Sequence, residues 1–175
     1  MAYNAVRDKL TDFAVFYNGE QLLGMADITL PKIEYLSETL KGPGIGGEVE
    51  MPTMGQTSSM EVQINWRTVN ADLTELHAPK AHDLEFRGAV AHYDSSTGTI
   101  EQIPAVVKVR GIPKSMELGK LETSATMDSS NTLECSYLRV AYNDETKIEI
   151  DKFARVFNIN GTDYMAAVRK ALGLS

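Results

Sequence analysis

Apolar and polar residues alternate with period two along several stretches of the chain, the mark of strands that bury one face and wet the other. The clearest stretch sets Met60, Val62, Ile64 and Trp66 between Glu61, Gln63, Asn65 and Arg67. Earlier, the β-branched and aromatic run Phe13 to Tyr17 meets Asn18-Gly19, a pair suited to a type I′ turn, and the chain returns through Glu20 to Ala26 as a hairpin. Ile28 to Leu36 resumes as a strand, with Pro31 removing a ladder donor and so marking an edge or a strand start. Leu84 to Tyr93 and Thr99 to Arg110 form a second hairpin around the turn chemistry of Asp94 to Gly98. Lys114 to Leu121 reads as a further strand and Glu122 to Ser130 as a polar connector. Leu133 to Tyr142, Lys147 to Asp151 and Arg155 to Asn160 complete the strands, with turns at Asn143-Asp144 and Asn160-Gly161.

Two short helices interrupt this pattern. Asn70 caps one that contains Leu73 and Leu76 and ends before Pro79, because a residue preceding proline avoids the helical region. Asp163 is expected to cap Tyr164 to Leu172, with Met165, Val168 and Leu172 on one face and Gly173 as the stop. The fold class is mainly β, an antiparallel sandwich or open barrel with one or two short α-helices. At 175 residues and 43 % apolar, the chain fits one domain with a single core, residues 1–175.

One segment resists the alternation. Lys41 to Ser59, KGPGIGGEVEMPTMGQTSS, is dense in glycine, with two prolines and two methionines, and is expected to be a long loop inserted at about 41–59 without a fixed sheet register. Long loops inside compact domains tend to be functional, so Lys41, Gly42, Pro43, Gly44, Ile45, Met51 and Met54 are the candidate interaction residues.

Composition narrows the function. The net charge is −7 and the basic residues Lys9, Arg67, Arg87, Lys108 and Arg139 are scattered, which argues against a stripe that grips phosphates. The lone Cys135 sits in an alternating stretch and is expected to act as a small buried hydrophobe. The opening residues lack a secretory h-region, and no window reaches 18 apolar residues, so no membrane anchor is expected and synthesis in a cytoplasm is.

Catalytic signals are weak throughout. Gly42, Gly44 and Gly47 spell G-x-G-x-x-G, but Glu48, Glu50 and Pro52 follow, repelling phosphate and interrupting the helix a dinucleotide turn needs. His77, His82 and His92 lack a helical metal spacing. The pairs Glu48 with Glu50 and Glu149 with Asp151 read as solvated strand faces before they read as a glycosidase dyad. Asn160-Gly161-Thr162 matches a glycosylation sequon but is better read as a hairpin turn. No catalytic residue, cofactor or metal is expected.

Read in order, several stretches resemble the major tail tube proteins of contractile phage tails and of phage-tail-like bacteriocins. They are VFYNGEQLLGMADITLPKIE from Val15 to Glu34, KGPGIGG from Lys41, SMEV from Ser59, FRGAVAHYDSSTGT from Phe86 and VVKVRGIPKSMELGKLE from Val106. CSYLRV from Cys135 and IEIDKFARVFNINGTD from Ile148 complete the set. No one motif is specific; the shared order over most of the chain carries the resemblance.

The resemblance implies a tail-tube β-fold and a structural subunit whose sheets merge with those of five other copies in a hexameric ring. Rings would stack into a hollow tube, partnered by a contractile sheath, a baseplate and a tail terminator, in a virion tail or an extracellular bacteriocin particle assembled in the host cytoplasm. Four strands from each of six copies imply a barrel roughly 45 to 50 Å across, wide enough for duplex DNA to pass without tight binding. An acidic lumen would repel phosphates. The alternative from another class is a soluble β-sandwich binding module presenting the 41–59 segment to a ligand.

Overall fold

The computed structural model describes residues 5–22 and 25–174. Strands β1 (Ala5–Tyr17) and β2 (Glu20–Leu22) form the opening hairpin, with Tyr17 opposite Glu20 and only Asn18 and Gly19 between them. Both turn residues take positive φ, 51° and 86°, as a type I′ turn demands. Asn143-Asp144 and Asn160-Gly161 turn in the same way. The expected return strand runs on through residues 23 and 24, which lie outside the described residues.

The expected strand at 28–36 divides in two. β3 (Met25–Thr29) stops before Pro31, and β4 (Tyr35–Lys41) begins a separate two-stranded unit with β5 (Glu48–Thr57). β6 (Glu61–Trp66) alternates in burial along its whole length, and α1 (Ala71–Glu75) follows, with the Asn70 Oδ1 accepting from the Leu73 N–H at 2.8 Å. β7 (His82–Asp94) and β8 (Thr99–Glu117) make the long central hairpin.

The separate strand expected at 114–121 does not exist. β8 runs unbroken through Gly111 and Pro113 because irregularities in its pairing with β9 (Ser129–Tyr142) fall beside both. At such bulges the chain bends, and proline is tolerated. A side chain on Gly111 would meet the Cβ of Leu133 at 2.9 Å, so the glycine allows close approach of the two strands.

β10 (Glu145–Asp151), β11 (Val156–Ile159), β12 (Thr162–Asp163) and α2 (Ala166–Ala171) complete the chain. Among the described residues the main sheet runs β12-β11-β10-β9-β8-β7-β1-β2. Opposite β8, the first half of β9 pairs with β6 and the second half with β10, so the sheet forks there. β6 in turn carries β3. The core fills the space inside this fork: Val15, Leu84, Phe86, Val109, Leu138 and Ile150 from the main sheet meet Met60, Val62, Ile64 and Trp66 from β6, with Leu73 and Leu76 of α1. Cys135 is fully buried there, and burial pushes its thiol up to about 12, which leaves it inert at neutral pH.

The C-terminal helix departs from expectation. It begins at Ala166, and its N-cap position is Met165, with no side-chain cap. Asp163 instead accepts from the N–H groups of Phe157 (3.3 Å) and Met165 (3.0 Å) and pairs with Arg169 at 2.6 Å. Met165 is buried, whereas Val168 and Leu172 are exposed. Chiefly through Arg169, and against the opposing effect of burial, these donors hold the Asp163 carboxyl below its ordinary range near 3.8.

A carboxyl whose pKa is lowered by folding stabilises the fold fully above that ordinary range, and the contribution fades as pH falls through the lowered value. Asp163→Asn is therefore expected to lower stability by about 1 to 3 kcal/mol at neutral pH, and by progressively less below about pH 4. Urea titrations of both proteins across pH would show two curves that converge in acid; parallel curves would refute the role given to this carboxylate.

Candidate assembly surface

The segment expected to be an irregular loop is a two-stranded arm. β4 and β5 pair in register, Lys41 opposite Glu48, Leu40 opposite Val49, Thr39 opposite Glu50 and Glu38 opposite Met51, with only residues 42–47 left as the tip. Gly42, Gly44 and Gly47 lie in the tip, at positive φ, and leave the register of 37–41 with 48–52 intact, whereas Gly55, at φ 74° within β5, falls where the pairing shifts between Ser37 and Tyr35.

Directly opposed residues of an antiparallel pair share a face. One face of the arm thus carries Leu40, Val49, Met51 and Glu38, and the other carries Lys41, Glu48, Thr39, Glu50 and Ser37. The polar face is internally paired, with Lys41 to Glu48 at 3.6 Å and Ser37 to Glu50 at 3.5 Å. On the apolar face Leu40, Val49 and Met51 are exposed, as are Ile45 at the tip and Leu36 and Met54 nearer the base. A lone hairpin with a bare apolar face is marginal in water, which makes this arm the candidate contact surface.

The body grips only the base of the arm. The Tyr35 ring lies 5.6 Å from that of Phe157, the Ser58 N–H donates to the Glu34 carbonyl at 2.9 Å, and a side chain on Gly55 would run into the thioether of Met165. Lys41, Gly42, Pro43, Gly44 and Ile45 therefore cluster at the far end, with Met51 on the apolar face and Met54 nearer the base. Leu36, Leu40 and Val49 were missed from sequence. Their alternation in YLSETLK and EVEM was visible, but the glycines between masked it.

The main sheet also has a broad polar face, turned away from the core. Register places Asp83, Glu85 and Arg87 of β7 beside Arg110, Lys108 and Val106 of β8, then Tyr137, Arg139 and Ala141 of β9, then Asp151, Glu149 and Thr146 of β10. Arg110 pairs with Asp83 at 2.8 Å, and Glu85 holds both Lys108 (2.6 Å) and Arg87 (2.5 Å). Burial alone would raise the Glu85 carboxyl; Lys108 and Arg87 more than offset it and hold it below the usual range. With Asp12 of β1 and with Asp144, which borders Glu85, Lys108 and Arg139, the carboxylates on this face modestly outnumber its cations.

The same sheet ends in an open margin. Among the described residues, β1 from residue 5 to 14 pairs only with β7, since β2 covers no more than Val15 to Tyr17. An uncovered strand edge is a template for another chain.

The histidines are structural or isolated. His82 is buried, bonded by Nε2 to the Ala78 carbonyl (3.0 Å) and by Nδ1 to the Tyr17 hydroxyl (3.0 Å). His77 is exposed and His92 half-buried. Among the described residues, no group of three or more His, Cys, Asp or Glu is placed to hold a metal, and no helix is long and apolar enough to cross a membrane.

Comparison with known proteins matches this geometry. The family model described as phage tail tube protein FII matches residues 7–173. The tail tube protein of Escherichia phage P2 is 28 % identical over 174 residues, spanning 97 % of this chain and 99 % of that one. The fold is similar to a chain of the sheath/tube terminator of an extracellular contractile injection system, with a TM-score of 0.55, 15 % identity and coverage of 78 % of this chain and 97 % of that one. A chain of the same system's sheath-tube complex gives a TM-score of 0.53 at 15 % identity, covering 74 % and 87 %. A match this long, on a mainly antiparallel body with an unpartnered arm, places the chain in the phage tail tube protein FII family.

Proposed function

We propose that this tube subunit assembles as hexameric rings that stack into the hollow inner tube of a contractile phage tail or phage-tail-like bacteriocin, and that it does no chemistry. The observation that carries the reading is the amphipathic arm, held by the body only at its base and bare on its apolar face. In the tube, the arm of one copy lies on a neighbouring copy, its tip formed by Lys41 to Ile45 and its contact face by Leu40, Val49 and Met51. The open margin of β1 takes a strand of the adjacent copy, turning an aggregation hazard into ring closure.

On this reading the polar face of the main sheet lines the bore. Its cations Arg87, Lys108 and Arg110 are paired and a modest excess of carboxylates remains, so a duplex would slide without being gripped. Most of the −7 net charge lies elsewhere on the molecule and serves solubility. A contractile sheath, a baseplate and a terminator are the partners this placement requires, in a tail or released particle assembled in the host cytoplasm. The rival reading, a soluble module presenting 41–59 to a ligand, is not favoured, since no observation beyond the segment's exposure supports it.

Purified protein is expected to shift from monomer to rings and tubes as concentration rises, by sedimentation and electron microscopy. A solitary species at every concentration would refute the assembly.

A further inference from the structure

We propose that Phe153 of one copy docks in the apolar cavity beside Leu30 of the next copy, an inference that rests on the tube reading above and adds a specific anchor to it. Phe153 is 83 % exposed, the most exposed aromatic side chain among the described residues. The turn that displays it between β10 and β11 is held firmly. Asp151 Oδ1 accepts from the N–H groups of Phe153 (3.0 Å) and Ala154 (2.8 Å), and Arg169 donates to the Arg155 carbonyl at 2.7 Å. Lys152 ties the same turn to the body through the Ser136 carbonyl (3.0 Å) and the Ser58 carbonyl (2.7 Å). A pre-ordered aromatic loses little freedom when it docks, and such anchors dominate interfaces.

The cavity lies where β1, β7 and β8 run out beyond β3. Leu10, Phe13, Ile28, Leu30, Phe86 and Val107 wall it, and its volume is ≈ 230 Å³. An apolar cavity of about 150 Å³ takes a benzene ring, so this one has room for a phenylalanine side chain. Gly88 keeps the floor clear: a Cβ there would already meet Leu10 at 2.7 Å.

Charge matches as well. Asp27 lines the cavity and, among the described residues, is bonded to the neutral amide of Asn65 and makes no ion pair, and Arg155, two residues along the chain from Phe153, makes no ion pair among them either. Arg87, also at the cavity, is held by Glu85, which it shares with Lys108. Knob and cavity occupy different parts of the chain, so each contact leaves one of each free for the next copy. Such a heterologous contact propagates as a ring or a stack.

The test is cross-linking of assembled Ala154→Cys/Thr29→Cys protein with a short bis-maleimide, since both positions are exposed and adjoin Phe153 and Leu30, which stay intact; the buried Cys135 does not compete. A ladder of covalent multimers is expected, absent from either single variant. Independently, Phe153→Ala should raise the concentration needed for assembly by about tenfold or more, with circular dichroism and thermal midpoint unchanged. Tubes that form without a ladder would overturn the docking and leave the tube reading intact. A wild-type protein that never assembles would overturn both.

Discussion

Trp66→Ala is expected to leave most of the protein unfolded or insoluble. Trp66 is 1 % exposed and sits at the end of β6, opposite Met25 of β3 and Ser129 of β9, where the second layer closes over the core. Truncating a buried tryptophan costs about 3 to 5 kcal/mol. The indole N–H also donates to Asn131 Oδ1 at 2.9 Å, and the Asn131 amide donates to the Leu73 carbonyl at 3.2 Å. Removing the indole orphans a buried acceptor and loosens α1, adding about 1 to 3 kcal/mol. Against a typical total of about 5 to 15 kcal/mol, the sum is decisive. Trp66→Phe keeps most of the packing and isolates the orphaned acceptor. Urea midpoints by far-UV circular dichroism would read both, and an alanine variant within about 1 kcal/mol of wild type would refute this view of the core.

Excising the arm is expected to do the reverse, sparing the fold and abolishing the tube. Replacing residues 37–54 with Asn-Gly keeps the base contacts of Tyr35, Gly55 and Ser58 and removes no buried side chain. A deletion running through residue 57 would cut into that base, because Tyr35 pairs with Thr57. Monomer stability should change by less than about 1 kcal/mol. The concentration needed for assembly should rise about 100-fold or more, the loss of one apolar contact surface on every copy. Sedimentation and micrographs would measure it, and long tubes from the excised protein would end the assignment of the arm to assembly.

The strands were legible wherever one face met the core and the other met water. β6 shows this best, since Val62, Ile64 and Trp66 are buried in strict alternation. The type I′ turns were legible because Asn-Gly and Asn-Asp tolerate positive φ locally, whatever the rest of the chain does. The arm was not, because its strands pack on the body only at their base and their pairing depends on a register that glycine composition obscured.

Sequence alone determined the local matters: which residues alternate, where the chain must turn, that the fold is mainly β, and that Cys135 belongs inside. Tertiary structure decided what depends on partners far along the chain. It made Lys114 part of β8, took Asp163 from the cap position to join β11 with α2, and left Phe153 and the arm facing solvent. The reason is physical: propensity and period act over a few residues, whereas bulges, side-chain ties and unpartnered faces exist only once distant strands are brought together.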